Sequence, residues 1–514
     1  MDNQNRQNRW SKSFLLILLT FTVFLATTLG PVPIQTAAAM YQSVAFDITP
    51  AEPPYANVLL DMAPVKSPVR PYVEEGTTMV PLRALGEALG AEIGWDQNER
   101  AATYSKGNIS LIVKIGEADI ATSDGQAVPM PLPATLLEGN TMVPLRLFSE
   151  ILDFQVSWDQ NTRTVHVQSP KQPIELWGFY ALGSATYSSW EDTFASKYPY
   201  SADDSPAQSM GGVFVGWFSV DKDGSVSSKP NPTGFQKPGG WQAVLLQAKL
   251  NGLQVFSMYF ADQQSSNISG ILEDAVSREA LAKNIALTAW EYDGVLIDFE
   301  GLGLDPANAD SDKENFNGFL STLKGHLAGK PLSVALPPLN SSFSGYDHEY
   351  IGKTADFLVL MAYSYEDPAV PSPTAPFAKV EEAIKLEIQA VEPKKVILGI
   401  PAYGTLYKTT AEGTFIQARP ASRDSSNILP QHVLPDSQQI PRSVFAPQYL
   451  SNYAEWSTQE GSYKAFLEDA QSLQARILMA KRYGIKGAAI WRLGLLPEDW
   501  WGHINQKAAI QRSE

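Results

Sequence analysis

The chain has 514 residues, enough for two or three domains with full cores, and its 44% hydrophobic and 18% charged residues describe an ordinary folded, soluble protein. Its 39 basic against 55 acidic residues give a net charge of −16, which argues against nucleic acid or an anionic surface as a partner and leaves neutral glycans compatible. No cysteine and only five scattered histidines exclude disulfides, thiolate chemistry and any recognisable metal-ligand spacing, so no metal or cofactor is expected.

At the N-terminus, Arg6, Arg9 and Lys12 precede the uncharged run from Phe14 to Leu29, and Ala37-Ala38-Ala39 offers small residues for cleavage. This pattern predicts an export signal over residues 1–39, with an uncleaved anchor as the alternative. Either way the bulk of the protein lies outside the membrane, secreted or associated with a bacterial wall or surface. Residues 40–56 carry several prolines and no helical period, and read as linker.

An internal repeat follows. Gly76-Thr77-Thr78-Met79-Val80-Pro81-Leu82-Arg83 recurs as Gly139-Asn140-Thr141-Met142-Val143-Pro144-Leu145-Arg146, an offset of 63 residues. Trp95-Asp96-Gln97-Asn98-Glu99-Arg100 recurs as Trp158-Asp159-Gln160-Asn161-Thr162-Arg163 at the same offset. Each unit reads as an extended stretch, a short amphipathic helix and a hairpin turning at Asp-Gln-Asn. Leu82, Leu85 and Leu89 mark the apolar face of the first helix; Leu145, Phe148 and Leu152 mark that of the second. Two units predict one small α+β domain over residues 57–168.

After the linker Ser169–Pro173, eight apolar β-type runs alternate with helical patterns over residues 174–510. The runs are Leu176–Tyr180, Val213–Phe218, Gln254–Phe260, Gly294–Glu300, Leu332–Pro337, Phe357–Tyr363, Val396–Pro401 and Gly487–Trp491. Among the helices, Ser277 begins one with Leu281 and Ile285 inside, another carries Phe316, Phe319, Leu323 and Leu327, and Asp469 or Ser472 starts a third that stops at Gly484. This alternation predicts an α/β fold, a (β/α)8 TIM barrel, preceded by the two-repeat domain. Residues 405–460 are Pro- and Ser-rich and read as an insertion forming a lobe or wall of a binding cleft rather than a domain of its own.

The fourth run ends in Asp298-Phe299-Glu300. Strand alternation puts Leu296, Asp298 and Glu300 on one face, with both acids at the C-terminal end, where barrel chemistry sits. Two carboxylates there are costly to bury without a task, or without an Arg or backbone N–H partner. The strand ends also supply aromatics: Trp177, Tyr180, Trp217, Tyr259, Phe260, Tyr363, Tyr365, Tyr403 and Trp491. Beside paired carboxylates they read as platforms for sugar rings rather than simple packing.

Asp293-Gly294-Val295-Leu296-Ile297-Asp298-Phe299-Glu300 resembles the Asp-Gly-x-Asp-x-Asp-x-Glu signature of glycoside hydrolase family 18. Met361-Ala362-Tyr363 is similar to that family's strand-six segment, Leu398–Gly404 to its strand-seven segment, and Gly487–Gly494 to its terminal Trp-bearing strand. The form of the first motif is most similar to the spore-germination and wall-lytic branch. The repeat domain resembles the module named after the N-terminal domain of copper amine oxidases, which implies a stalk or a wall-associating role; a plain spacer is the other reading.

The resemblance implies a secreted hydrolase that cleaves N-acetylglucosamine-containing glycans, of peptidoglycan or chitin type, by substrate-assisted retaining catalysis. It makes Glu300 the acid, Asp298 the group that orients the substrate acetamide, and Tyr363 the donor to its oxygen. Trp491 becomes the floor, with Tyr180, Trp217, Tyr259, Tyr403 and Met361 as further substrate contacts. A monomer is expected. Two residues depart from the family pattern: Leu296 stands where the middle acid would be, and Ser364 follows the strand-six tyrosine, with Glu366 and Asp367 just beyond. The competing reading is a glycan-binding wall protein that keeps the barrel without turnover.

Overall fold

A computed structural model describes residues 52–512, except 107, 124, 171–172, 182–188, 231–233, 368–369, 410–414, 422–442, 459–460, 497–499, 509 and 511. The expected export signal, all but the last few residues of the following linker and part of the second linker lie outside the described residues.

The second half of the chain closes into a barrel. Its strands are β1 (Glu175–Ala181), β2 (Gly212–Val220), β3 (Gln254–Ala261), β4 (Gly294–Phe299), β5 (Leu332–Leu336), β6 (Phe357–Leu360), β7 (Val396–Pro401) and β8 (Gly487–Trp491). Each pairs in parallel with its neighbours, and β1 pairs with both β2 and β8, so no edge is left open. All eight expected strands are present. They are apolar on both faces because one face meets the lumen and the other meets the helices.

These two faces form separate cores. Trp177, Phe179, Phe214, Phe256, Met258, Leu296, Phe357 and Val359 fill the lumen, where Trp177 stacks on Phe214 at 4.9 Å. The shell between strands and helices is the larger cluster; it includes Ile297, Phe299, Phe316, Phe319 and Leu323. Helix Ala275–Thr288 is capped by Asp274, whose carboxylate accepts the Ser277 N–H at 2.7 Å, so Ser277 lies one turn inside rather than at the start. Asp469 and Ser472 bond each other reciprocally at the head of helix Ala470–Arg482, each satisfying an N–H that the helix leaves open.

Strand β6 ends three residues earlier than its apolar run. The N–H groups of Ala362 and Tyr363 bond the carbonyls of Leu360 and Met361, two tight turns that leave the ladder. Ser364 then adopts φ +60°.

The insertion is a lobe, built as a five-stranded antiparallel sheet. In spatial order its strands are Phe415–Ala421, Gly404–Thr409, Gly461–Leu467, Ser451–Thr458 and Val444–Ala446. Gly404 starts it, because a side chain there would meet the Phe466 carbonyl at 1.8 Å. Buried Arg476, on the following helix, ties the lobe down. It forks onto Glu468 at 2.7 and 3.0 Å and donates to the carbonyls of Leu450 and Ala375.

In the N-terminal part, strands Thr77–Pro81 and Asn140–Pro144 of the two repeats pair antiparallel, with Val80 opposite Val143. Equivalent residues meet at the centre, so the copies are related by a local two-fold. Each copy carries its short helix, Leu82–Ala88 or Leu145–Glu150, and its hairpin. The Asp96 and Asp159 carboxylates accept the N–H two residues on, at 2.8 Å each, and this fixes the Asp-Gln-Asn turns.

Candidate active site

The head of β4 is architectural. The Asp293 carboxylate accepts the Val255 N–H at 2.8 Å, while the Asp293 N–H donates to the Val255 carbonyl. Gly294 follows because any side chain would drive into the Phe256 ring, 2.5 Å from an added Cβ. These two residues set the strand at the height that brings its last acids to the mouth.

Leu296 packs in the lumen, so the same face of β4 carries Asp298 and then Glu300. Asp298 is 3% exposed, and its Oδ1 is buried with no hydrogen-bond partner. Burial, and then the Glu300 charge, push its carboxyl well above the usual range. Glu300 lies one step higher with its side chain open to the cleft. Withdrawal from bulk water by the surrounding walls, and then the charge of Asp262, raise Glu300 to about 7. The two acids titrate as a pair in which ionisation of one opposes ionisation of the other.

Tyr363 is half-buried close to this pair. Burial and the charges of Tyr403, Asp298 and Glu300 hold its phenol protonated far above neutrality. Tyr403 stands beside it and shares a 3.0 Å hydrogen bond with the Ser364 hydroxyl. Glu366 acts on Tyr403 through its charge and accepts from Thr405 at 3.5 Å, so it belongs to the β7 side of the mouth. Trp491 and Met361 both pack at the top of the lumen cluster, half-exposed. Of the residues singled out from sequence, Asp298, Glu300, Tyr363 and Tyr403 are thus brought together, and Trp491 and Met361 floor the same opening.

Three others are not. Tyr180, Trp217 and Tyr259 lie in the shell core, each almost fully buried. The Tyr259 hydroxyl bonds Thr288 at 2.8 Å and the Ile285 carbonyl at 3.3 Å, both on the helix outside the barrel. Tyr180 packs edge-on against Trp217 in the same layer. These three are packing residues, and the expectation that they touch substrate is corrected. Tyr259→Phe should cost about 1 kcal/mol of stability in denaturant melts and leave KM unchanged; a raised KM would return Tyr259 to the cleft.

Three more aromatics shape the opening, one of them expected from the sequence and two carried on loops. Phe260 stands inward, next to outward Tyr259, and stacks on Phe235 at 4.6 Å; Phe235 also packs 6.3 Å from Trp491. Phe260 is among the strand-end aromatics expected from the sequence, whereas loop-borne Phe235 has no sequence signal. Tyr346, also on a loop, donates to the Phe299 carbonyl at 2.7 Å and accepts the Leu302 N–H at 3.3 Å. It pins the backbone on both sides of Glu300.

A closed eight-stranded barrel that presents a raised-pKa acid pair above an aromatic floor defines a glycosidase-like barrel, and the chain belongs to glycosyl hydrolases family 18, whose model matches residues 185–495. Residues 59–167 match the copper amine oxidase N-terminal domain. Among curated relatives, the cortical fragment-lytic enzyme of Bacillus cereus is 27% identical over 243 residues, covering 45% of this chain and 54% of the relative. The chain therefore spans about half the length of such relatives. The solved spore cortex-lytic enzyme SleL of Bacillus cereus superposes with a TM-score of 0.54 at 20% identity, over 72% of this chain and 83% of that one. A chitinase from Chromobacterium violaceum gives 0.50 at 19%, over 65% and 99%. Both likenesses are of fold.

Proposed function

We propose that this chain is an exported glycoside hydrolase that cleaves N-acetylglucosamine-containing glycans, of peptidoglycan or chitin type, by substrate-assisted retaining catalysis. The observation that carries the reading is the unpartnered, buried Asp298 Oδ1 beside a glutamate whose raised pKa keeps it protonated near neutrality. A buried carboxylate oxygen without a donor is costly, and a substrate acetamide N–H would satisfy it.

In this mechanism Glu300 donates its proton to the glycosidic oxygen as the bond to the leaving sugar breaks. The substrate's own acetamide oxygen attacks the anomeric carbon, Asp298 accepts the acetamide N–H and stabilises the positive ring that forms, and Tyr363 donates to the acetamide. Water then opens the ring, giving its proton back to Glu300. Trp491 supports the distorted sugar, with Phe235 and Phe260 beside it. Leu296 leaves the lumen below Asp298 apolar, so Asp298 shares its proton with Glu300 rather than with an inner acid. The division into a repeat domain at 57–168, with a wall-associating role, and a monomeric catalytic barrel at 174–510 belongs to the same proposal.

The test is product analysis on acetylated and deacetylated chitin oligomers and on purified peptidoglycan. Acetylated substrates should release new reducing ends, and the deacetylated oligomer should be at least about 100-fold slower, because it lacks the attacking group. Equal rates on the two would refute the mechanism. The pH dependence has a definite sign. Glu300 is needed with its proton on, so kcat/KM should fall as pH rises through about 7, roughly tenfold per further unit.

A further inference from the structure

Glu300 has a neighbour that neither the motif nor the mechanism uses. Ala261, at the end of β3, is in register with Phe299, and the Glu300 N–H donates to the Ala261 carbonyl at 2.8 Å. The next residue, just past the end of β3, is Asp262, which follows Ala261 as Glu300 follows its partner Phe299. Parity puts it on the inward side too, since Phe256, Met258 and Phe260 line the lumen and the opening. Asp262 is half-buried and held rigidly: its Oδ1 accepts both the N–H and the hydroxyl of Ser265, at 2.5 and 2.8 Å.

We propose that Asp262 is a positioning residue for the acid: a rigidly held carboxylate on the neighbouring strand's end that governs the state in which Glu300 meets its substrate. This rests on the glycosidase reading of the same site. Around Glu300, the other titratable groups are Asp298 from β4, Tyr363 after β6, Tyr403 after β7 and Tyr346 after β5. The three phenols stay neutral at working pH, and Asp298 is the acid's own coupled partner. Among the described residues, Asp262 is thus the carboxylate of this surround that has no part in the chemistry. Neither Asp262 nor Glu300 has a Lys or Arg ion-pair partner among the described residues.

The geometry also favours repulsion over an alternative role as second proton donor. Asp262 takes two donors from Ser265 on one oxygen, so that oxygen is committed within its own turn rather than free to deliver a proton. With the charge of Asp262 nearby, ionising Glu300 costs energy in the low-dielectric mouth.

The experiment compares kcat/KM on an acetylated chitin oligomer near pH 5 and near pH 8 for the full-length protein, Asp262→Asn and Asp262→Glu. In Asp262→Asn the ratio of the value near pH 8 to that near pH 5 should fall about tenfold, equivalent to one pH unit of midpoint shift. Asp262→Glu keeps the charge and should restore most of the ratio. An unchanged ratio in Asp262→Asn, even with lower activity at both pH values, would overturn the proposal and assign Asp262 a merely structural role. A carbon-13 titration of labelled glutamate carboxyls, with Glu300 assigned from the Glu300→Gln variant, reads the same midpoint without turnover. A midpoint that moves to lower pH in Asp262→Asn supports the proposal even if the parent cleaves no glycan. A stationary midpoint rejects it whether or not the parent is active.

Discussion

Glu300→Gln should lower kcat on acetylated oligomers by about 10³-fold while leaving oligomer binding and melting temperature nearly unchanged. The amide matches the carboxylic acid in shape but cannot release a proton to the leaving oxygen. Its side chain faces the open cleft and has no buried ion pair to break, so the fold loses little. Binding measured by calorimetry on the same variant separates the enzyme from the glycan-binding alternative. If the parent binds oligomers tightly and turns none over, Glu300→Gln will match it in every assay and the hydrolytic reading fails.

The largest expected loss of stability lies at the root of the lobe. Arg476→Met removes a buried guanidinium that forks onto Glu468 and reaches the carbonyls of Leu450 and Ala375. It leaves a carboxylate buried with hydroxyls for company, those of Ser451 at 3.2 Å and of Ser472, and no longer held by the guanidinium. Breaking such a pair from one side costs about 3–5 kcal/mol, enough to lower the melting temperature by roughly 10 °C. The double variant Arg476→Met with Glu468→Leu should regain much of that loss, because no uncompensated charge remains. If the double variant is as unstable as the single one, the carbonyl contacts of Arg476 matter more than its ion pair. The fork joins the lobe to the loop after β6, and Tyr363 and Ser364 lie on that loop, so activity should decline with stability in the single variant.

The barrel was legible because its strands are short, continuous apolar runs separated by helical patterns. The acid pair was legible because Asp298 and Glu300 interrupt such a run at spacing two. Doubly buried strands, however, conceal which face is which. Tyr259 and Phe260 look equally suited to a sugar platform until cross-strand register shows Phe260 beside Asp298 and Tyr259 beside Ile297. Trp217 was harder still, since β2 carries a register shift between Val215 and Phe218 that breaks any count along the strand. Tyr346 and Phe235 act from loops, where no period marks the inward side. The strands of the lobe were hidden by its prolines and serines, whose turn preference masks segments that pair only at long range. Asp262 carries no such signal in the sequence: its meaning lies in its neighbour across the ladder, not in its neighbours along the chain.

The two-fold in the N-terminal part limits how that part can be divided. Because Val80 faces Val143, each copy supplies the ladder partner that the other lacks, and a fragment holding only one copy would carry a bare, self-matching border. Such a fragment is built to find its counterpart on a second molecule, so a truncation inside residues 57–168 trades an intramolecular pairing for an intermolecular one.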